Sequence, residues 1–163
     1  MNKKYLTKKD LDGFAARPRI VSKVSIAEKV SEYYIAGGVT PAGKKLAEDI
    51  FRIMVRDVEV KVREVLADSL KSSRNLPQDI VTSIINDADN VAVPFVQYYT
   101  DLSNDDMVRI LNIPSLSKQK AVASRMNLPS EISQYIVDRC PEEVVGVLIS
   151  NDSANIEEPT YNV

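Results

Sequence analysis

A leucine followed by proline or serine returns every 26 residues, as Leu76-Pro77, Leu102-Ser103 and Leu128-Pro129. Eight and nine residues beyond each leucine stands an apolar pair: Ile84-Ile85, Ile110-Leu111 and Ile136-Val137. A period of this length constrains the chain more tightly than any bulk property. One supersecondary unit repeated along a chain cannot bury its apolar face alone, so neighbouring units seal one another and function rides on the surface of the stack.

The spacing of apolar residues predicts helices throughout. A short first helix around Leu6, Leu11 and Phe14 ends at Arg17-Pro18, because proline disfavours helical geometry in the residue before it. A second runs from about Ile20 to Ala36 and stops at Gly37-Gly38. Thr40-Pro41 opens the third with an N-cap hydroxyl and a proline at the first helical position. Its expected buried stripe is Leu46, Ala47, Ile50, Phe51, Ile53 and Met54. Asp57 is expected to cap the fourth, with Val58, Val62, Val65, Leu66 and Ser69 on one face and Leu70 alongside.

The three leucine-marked helices then alternate with Val91–Tyr99, Lys118–Met126 and Pro141–Ile149. Pro94 is placed in the first turn of its helix, where its missing amide costs little. Beyond Asn151 no periodic apolar face remains, and the tail is expected to fray. The fold expected is all-α: an α-solenoid of about four helical hairpins preceded by two N-terminal helices. Its parts are an N-terminal helical segment, 1–38, a repeat domain, 39–151, and an acidic tail, 152–163.

The run from Arg56-Asp57 through Val62-Arg63 to Leu66-Ala67 resembles the start of the second helix of a HEAT repeat. In that family an Asp and an Arg or Lys six residues apart tie successive repeats together, and Asp57 and Arg63 have that separation. Over roughly residues 35 to 152, the ordered set Thr40-Pro41, Leu46-Ala47-Glu48-Asp49-Ile50, Val62-Arg63, Leu66-Ala67, Leu76-Pro77, Ala123-Ser124-Arg125 and Asn151 resembles a bacterial, chiefly alphaproteobacterial, family of HEAT-like repeat domains of unknown function. The resemblance implies a right-handed superhelical stack that binds proteins, and it conveys no reaction. Val93 stands where an Arg would pair with Asp87, and Gly146 falls in the last unit, so an unbroken Asp–Arg ladder is not expected.

Composition removes several chemistries. The chain has no histidine, which excludes Ser-His-Asp and Cys-His catalysis and histidine metal sites. Its one cysteine, Cys140, cannot form an internal disulfide or a thiolate cluster, and is read as an inert thiol in a reducing compartment. The five glycines include no phosphate-loop spacing. The Asp87-Ala88-Asp89-Asn90 run lacks the glycine and glutamate of a calcium loop, and helix capping accounts for it and for Asn104-Asp105-Asp106. No metal or cofactor is expected, and no catalytic residue is assigned. Neither an export signal nor a membrane span is expected.

The formal charge is −2, but the first thirty residues are basic and the last twenty-six acidic. That asymmetry leaves room for a homodimer by head-to-tail attraction. The function expected is a non-enzymatic, cytoplasmic scaffold or adaptor that holds a protein partner on the concave face, with Arg63, Tyr98, Tyr99 and Arg125 as contacts. Val62, Leu66, Leu76, Ile80, Ile84 and Ile136 are expected to maintain the scaffold. The alternative is a nucleic-acid-binding module using a basic stripe of Lys61, Arg63, Arg109, Lys118, Lys120 and Arg125. The acidic neighbours of that stripe and the absence of Trp count against it.

Overall fold

The computed structural model describes Lys8 and residues 20–157. All regular structure in residues 20–157 is helical: α1 (Ile20–Ile35), α2 (Pro41–Met54), α3 (Val60–Leu70), α4 (Gln78–Ile85), α5 (Asp89–Tyr98), α6 (Asn104–Leu111), α7 (Leu116–Ala123), α8 (Ser130–Arg139) and α9 (Glu142–Ile149). The expected helix around Leu6, Leu11 and Phe14 lies outside the described residues.

The chain forms two compact units, Met1–Phe95 and Val96–Val163, with the boundary inside α5. In the first unit α1 packs along α3, α2 along α4, and α2 closes on both α1 and α3. In the second, α6 packs along α8 and α7 along α9, while α6–α7 and α8–α9 close hairpins. Within each unit, helices thus meet both a hairpin neighbour and a helix two places along the chain, α1–α3 and α2–α4 in the first and α6–α8 and α7–α9 in the second. This is the packing rule of an α-solenoid, and the fold is all-α as the periodicity requires.

Burial explains the rule. Val30, Phe51, Met54, Leu66, Leu70 and Ile80 fill the first unit, where the Tyr34 ring meets Phe51 edge-on at 5.3 Å. Tyr99, Ile110, Val122, Leu128, Ile132, Ile136, Val144 and Leu148 fill the second. All six expected scaffold residues are buried. Truncating any of the five leucines and isoleucines among them to alanine is expected to cost about 2–5 kcal/mol.

The turns follow local chemistry. Gly37 and Gly38 stop α1 with φ of +75° and +68°, a region that suits glycine. Thr40 caps α2 by accepting from the Gly43 amide at 3.1 Å, ahead of Pro41 at the first position. Asn75 and Asn127 precede two of the leucine marks, two periods apart, and both adopt positive φ, 52° and 54°. Asparagine tolerates that conformation better than other residues with a Cβ. Two Asn-Leu-Pro turns thus carry the repeat in their backbone as well as in their sequence.

Several boundaries differ from the expected ones. The Asp57 carboxylate takes the Glu59 amide at 2.9 Å, forming a tight turn, so α3 starts at Val60. Val58 is left 86% exposed, and Leu46 and Ile53 also face solvent. Asp87 takes the Ala88 amide at 2.7 Å and the Ala88 carbonyl accepts from Val91 and Ala92, so α5 begins earlier than expected. Pro94 consequently lies past the first turn. It has no amide to donate to the Asn90 carbonyl four residues back, and Asn90 is exposed to water. Ser115 accepts from the Lys118 amide at 3.2 Å and starts α7 at Leu116.

The start of the tail does not fray. Ser153 accepts from the Asn127 amide at 3.1 Å and the Asn155 amide donates to the Leu128 carbonyl at 2.9 Å, pinning residues 151–155 to the α7–α8 turn.

Candidate interaction surface

The polar side chains with the most demanding geometry join repeats to one another. Arg63, on α3, donates from Nε and Nη2 to the two Asp87 oxygens at 2.7 and 3.1 Å, and from Nη1 to the Asp57 carbonyl at 2.6 Å. The planar guanidinium fork suits this two-point grip. The hydrogen bond to Asp87 holds the Arg63 pKa above its ordinary value. The Asp57 carboxylate pairs with Lys23 of α1 at 2.9 Å. An ionic ladder therefore runs from α1 through the start of α3 to the start of α5.

A second rung joins α2 to α4. Arg52 donates from Nε to Asp79 at 2.7 Å and from Nη1 to Asp49 at 2.9 Å. The hydrogen bond to Arg52 holds the Asp79 carboxyl below the usual carboxylate range, although the pair is open to solvent.

The second unit uses another chemistry. Gln119, the fourth residue of α7 as Arg63 is of α3, donates to the Leu111 and Ile113 carbonyls at 3.0 and 2.9 Å. Asn151 donates to the Ala123 and Arg125 carbonyls, both at 2.8 Å. Arg125 donates from Nη1 to the Val96 carbonyl at 2.6 Å, and burial pushes its pKa down. The acceptors for Gln119 and Asn151 are carbonyls at the last residue of a helix, Leu111 and Ala123, and two residues past it, Ile113 and Arg125.

Against this frame the four expected contact residues fall in different settings. Arg63 is in the first unit and is occupied by Asp57 and Asp87. Tyr98, Tyr99 and Arg125 are in the second. Tyr99 is 1% exposed and belongs to the core, and Arg125 is 9% exposed and braces Val96. Tyr98 presents its ring to water at 58% exposure. The second unit also exposes Leu116, Ile149 and Met126, the last at 81%. The expected helix runs from Lys118 to Met126, but α7 ends at Ala123 and Met126 lies beyond it. Gln119 is not singled out by the sequence, and Asn151 enters only as the last of the ordered motif residues, with no role attached.

The basic stripe is largely consumed by structure. Arg63 pairs with Asp87, Lys61 lies 3.6 Å from Glu64, Arg109 lies 3.6 Å from Asp106, and Lys118 and Arg125 are buried. The acidic runs serve helix starts and repeat contacts: Asp87 binds Arg63, and Ser103 accepts from the Asp106 amide at 3.1 Å. Among the described residues no group of three or more His, Cys, Asp or Glu side chains is arranged to hold a metal ion. No described helix is long and apolar enough to cross a membrane. Cys140 is a free, partly buried thiol whose pKa burial pushes up, which disfavours the reactive thiolate.

No curated protein and no solved structure matches the chain. A family model described as an uncharacterised protein conserved in bacteria, DUF2336, matches residues 91–163, a shorter span than the 35 to 152 expected from the ordered motifs. The matched stretch takes in the second unit and most of α5, so the second unit, with its carbonyl clamps and exposed Tyr98, is the part of this chain that is similar to that bacterial family.

Proposed function

We propose that the chain is a non-enzymatic scaffold or adaptor that holds a protein partner in the cytoplasm. The observation that carries this reading is the division of labour in the second unit. Its strongest polar groups are spent on bracing repeats, while Tyr98, Leu116, Met126 and Ile149 stand in solvent on or beside α5, α7 and α9. Large apolar and aromatic side chains are expensive to expose, and tyrosine and methionine are enriched where proteins meet. The lone partly buried Cys140 is compatible with a reducing compartment.

The test is capture of partners from the source cell extract by wild type and by a Tyr98→Ala/Met126→Ser variant. Both positions are exposed, so the variant keeps its fold. Loss of captured proteins supports the reading, and equal recovery removes this surface from it. Tyr99 and Arg125 are unsuitable for the same test because their replacement damages the core. Light scattering across a concentration series shows whether a second copy of the chain is the partner.

A further inference from the structure

Within each unit the helices pack in two rows, each made of helices two places apart in the chain: α1–α3 and α2–α4 in the first unit, α6–α8 and α7–α9 in the second. Hairpins join the rows, α6 to α7 and α8 to α9. By the same alternation α2 and α3 make one hairpin. That leaves α1 as the second helix of a hairpin whose first member falls before Ile20.

The flank of α2 away from α4 is the side such a helix would cover. Ala47, Ile50, Phe51 and Met54 turn into the core, and Arg52 reaches Asp79 of α4. Successive helical residues turn by about 100°, so Leu46 and Ile53 point within about 20° of each other and about 100° or more away from Arg52. Both are large apolar side chains left in solvent, Ile53 at 56%. A stack of repeats needs an end unit that shields the apolar face of its first helices.

The sequence before α1 supplies a matching face. Leu6, Leu11 and Phe14 fall within about 140° of a helical circumference, the width of a face laid on a neighbour. Leu6 to Phe14 rises about 12 Å along a helix and Leu46 to Ile53 about 10 Å, so one stripe spans the other. Lys8, which the same count puts on the opposite side, is helical and exposed. Arg17-Pro18, where helical geometry is disfavoured, falls between this segment and α1 as a hairpin turn would.

We propose that residues 1–19 of the same chain form the first helix of that hairpin and cap the stack, laying Leu6, Leu11 and Phe14 on Leu46 and Ile53 of α2. Covered in this way, the stripe is withheld from a second copy of the chain, and the segment decides that the stack ends there. The cap lies in the first unit and does not depend on the interaction surface proposed for the second.

Hydrogen–deuterium exchange of the full chain, read by mass spectrometry, tests the proposal. Amides of residues 6–14 are expected to exchange about tenfold or more slower than in a synthetic peptide of residues 1–19. Leu46→Asn/Ile53→Asn is expected to abolish that protection while exchange in α6–α9 stays as in wild type, which shows that the variant is folded. Ile53→Asn alone, at the more exposed position, is expected to give a several-fold loss, and it serves if the double change disturbs α2. Sedimentation over a concentration series identifies the occupant. Protection in a monomer supports the cap, whereas protection that appears only as a dimer forms overturns it in favour of a second copy. Exchange at the free-peptide rate in wild type, or protection undiminished in both variants, also overturns it.

Discussion

Arg63 and Gln119 hold the same place in their helices, yet one grips a carboxylate of the following repeat and the other grips two carbonyls, one at the end of the preceding helix and one in the link that follows it. The first unit is tied by Lys23–Asp57, Arg63–Asp87 and Arg52–Asp79. The second is tied by amide side chains and one buried guanidinium, all donating to backbone carbonyls. In both units the apolar core is laid out alike. The comparison teaches that core period fixes the stack, while the polar tie at each joint is interchangeable provided that it reaches a defined acceptor. It also separates the two units by their response to salt, which screens exposed and half-buried ion pairs but barely touches neutral amide–carbonyl bonds.

The largest effects come from repeat-equivalent leucines. Leu76→Ala and Leu128→Ala, one in each unit, are expected to lower unfolding free energy by about 2–5 kcal/mol each in chemical denaturation. A negligible change at either position breaks the shared register. Next come the ties themselves. Arg63→Met and Asn151→Ala each strand partly buried acceptors, and each is expected to cost about 1–3 kcal/mol. Repeating the measurement in molar salt sharpens the comparison: the Arg63→Met deficit shrinks and the Asn151→Ala deficit stays. Equal salt responses would erase the distinction between the units.

Arg125→Ala is expected to cost about 1–3 kcal/mol, because it leaves the Val96 carbonyl unpaired, with a deficit insensitive to salt. A deficit that vanishes in salt would mean that charge, rather than the bond to Val96, matters there. The smallest effect belongs to the solvent-open Arg52–Asp79 pair. Its carboxyl titrates below the usual range when folded, so its contribution is complete above that range and is lost as pH falls through the depressed value. Removing the arginine in Arg52→Ala lets Asp79 protonate at higher pH. The acid-unfolding midpoint should move slightly upward, and less so in salt.

The helical hairpins were legible in the sequence because burial imposes the 26-residue period directly on leucine, isoleucine and valine. The Asp57–Arg63 resemblance also pointed to a real joint, although the Arg63 carboxylate partner is Asp87 and it takes only a carbonyl from Asp57. Helix starts were less legible. Asp57 and Asp87 can each satisfy an amide one or two residues ahead, and that short-range choice moved α3 later and α5 earlier than apolar spacing implied. The candidate surface was least legible. Tyr98 and Tyr99 are identical neighbours, and only packing assigns one to the core and the other to water. Arg125 reads as a surface charge until its guanidinium is seen on the Val96 carbonyl.

Arg63 measures chain length in two directions, since one planar head group must meet a carbonyl six residues behind it and a carboxylate twenty-four ahead. An added or missing residue between Asp57 and Arg63, or in the α4–α5 link, would pull that head group off one of its two marks. The Ser72–Arg74 connection lies inside the same span, and the Arg52–Asp79 pair reaches across it as well, so a change of length there would be registered by two arginine head groups at once.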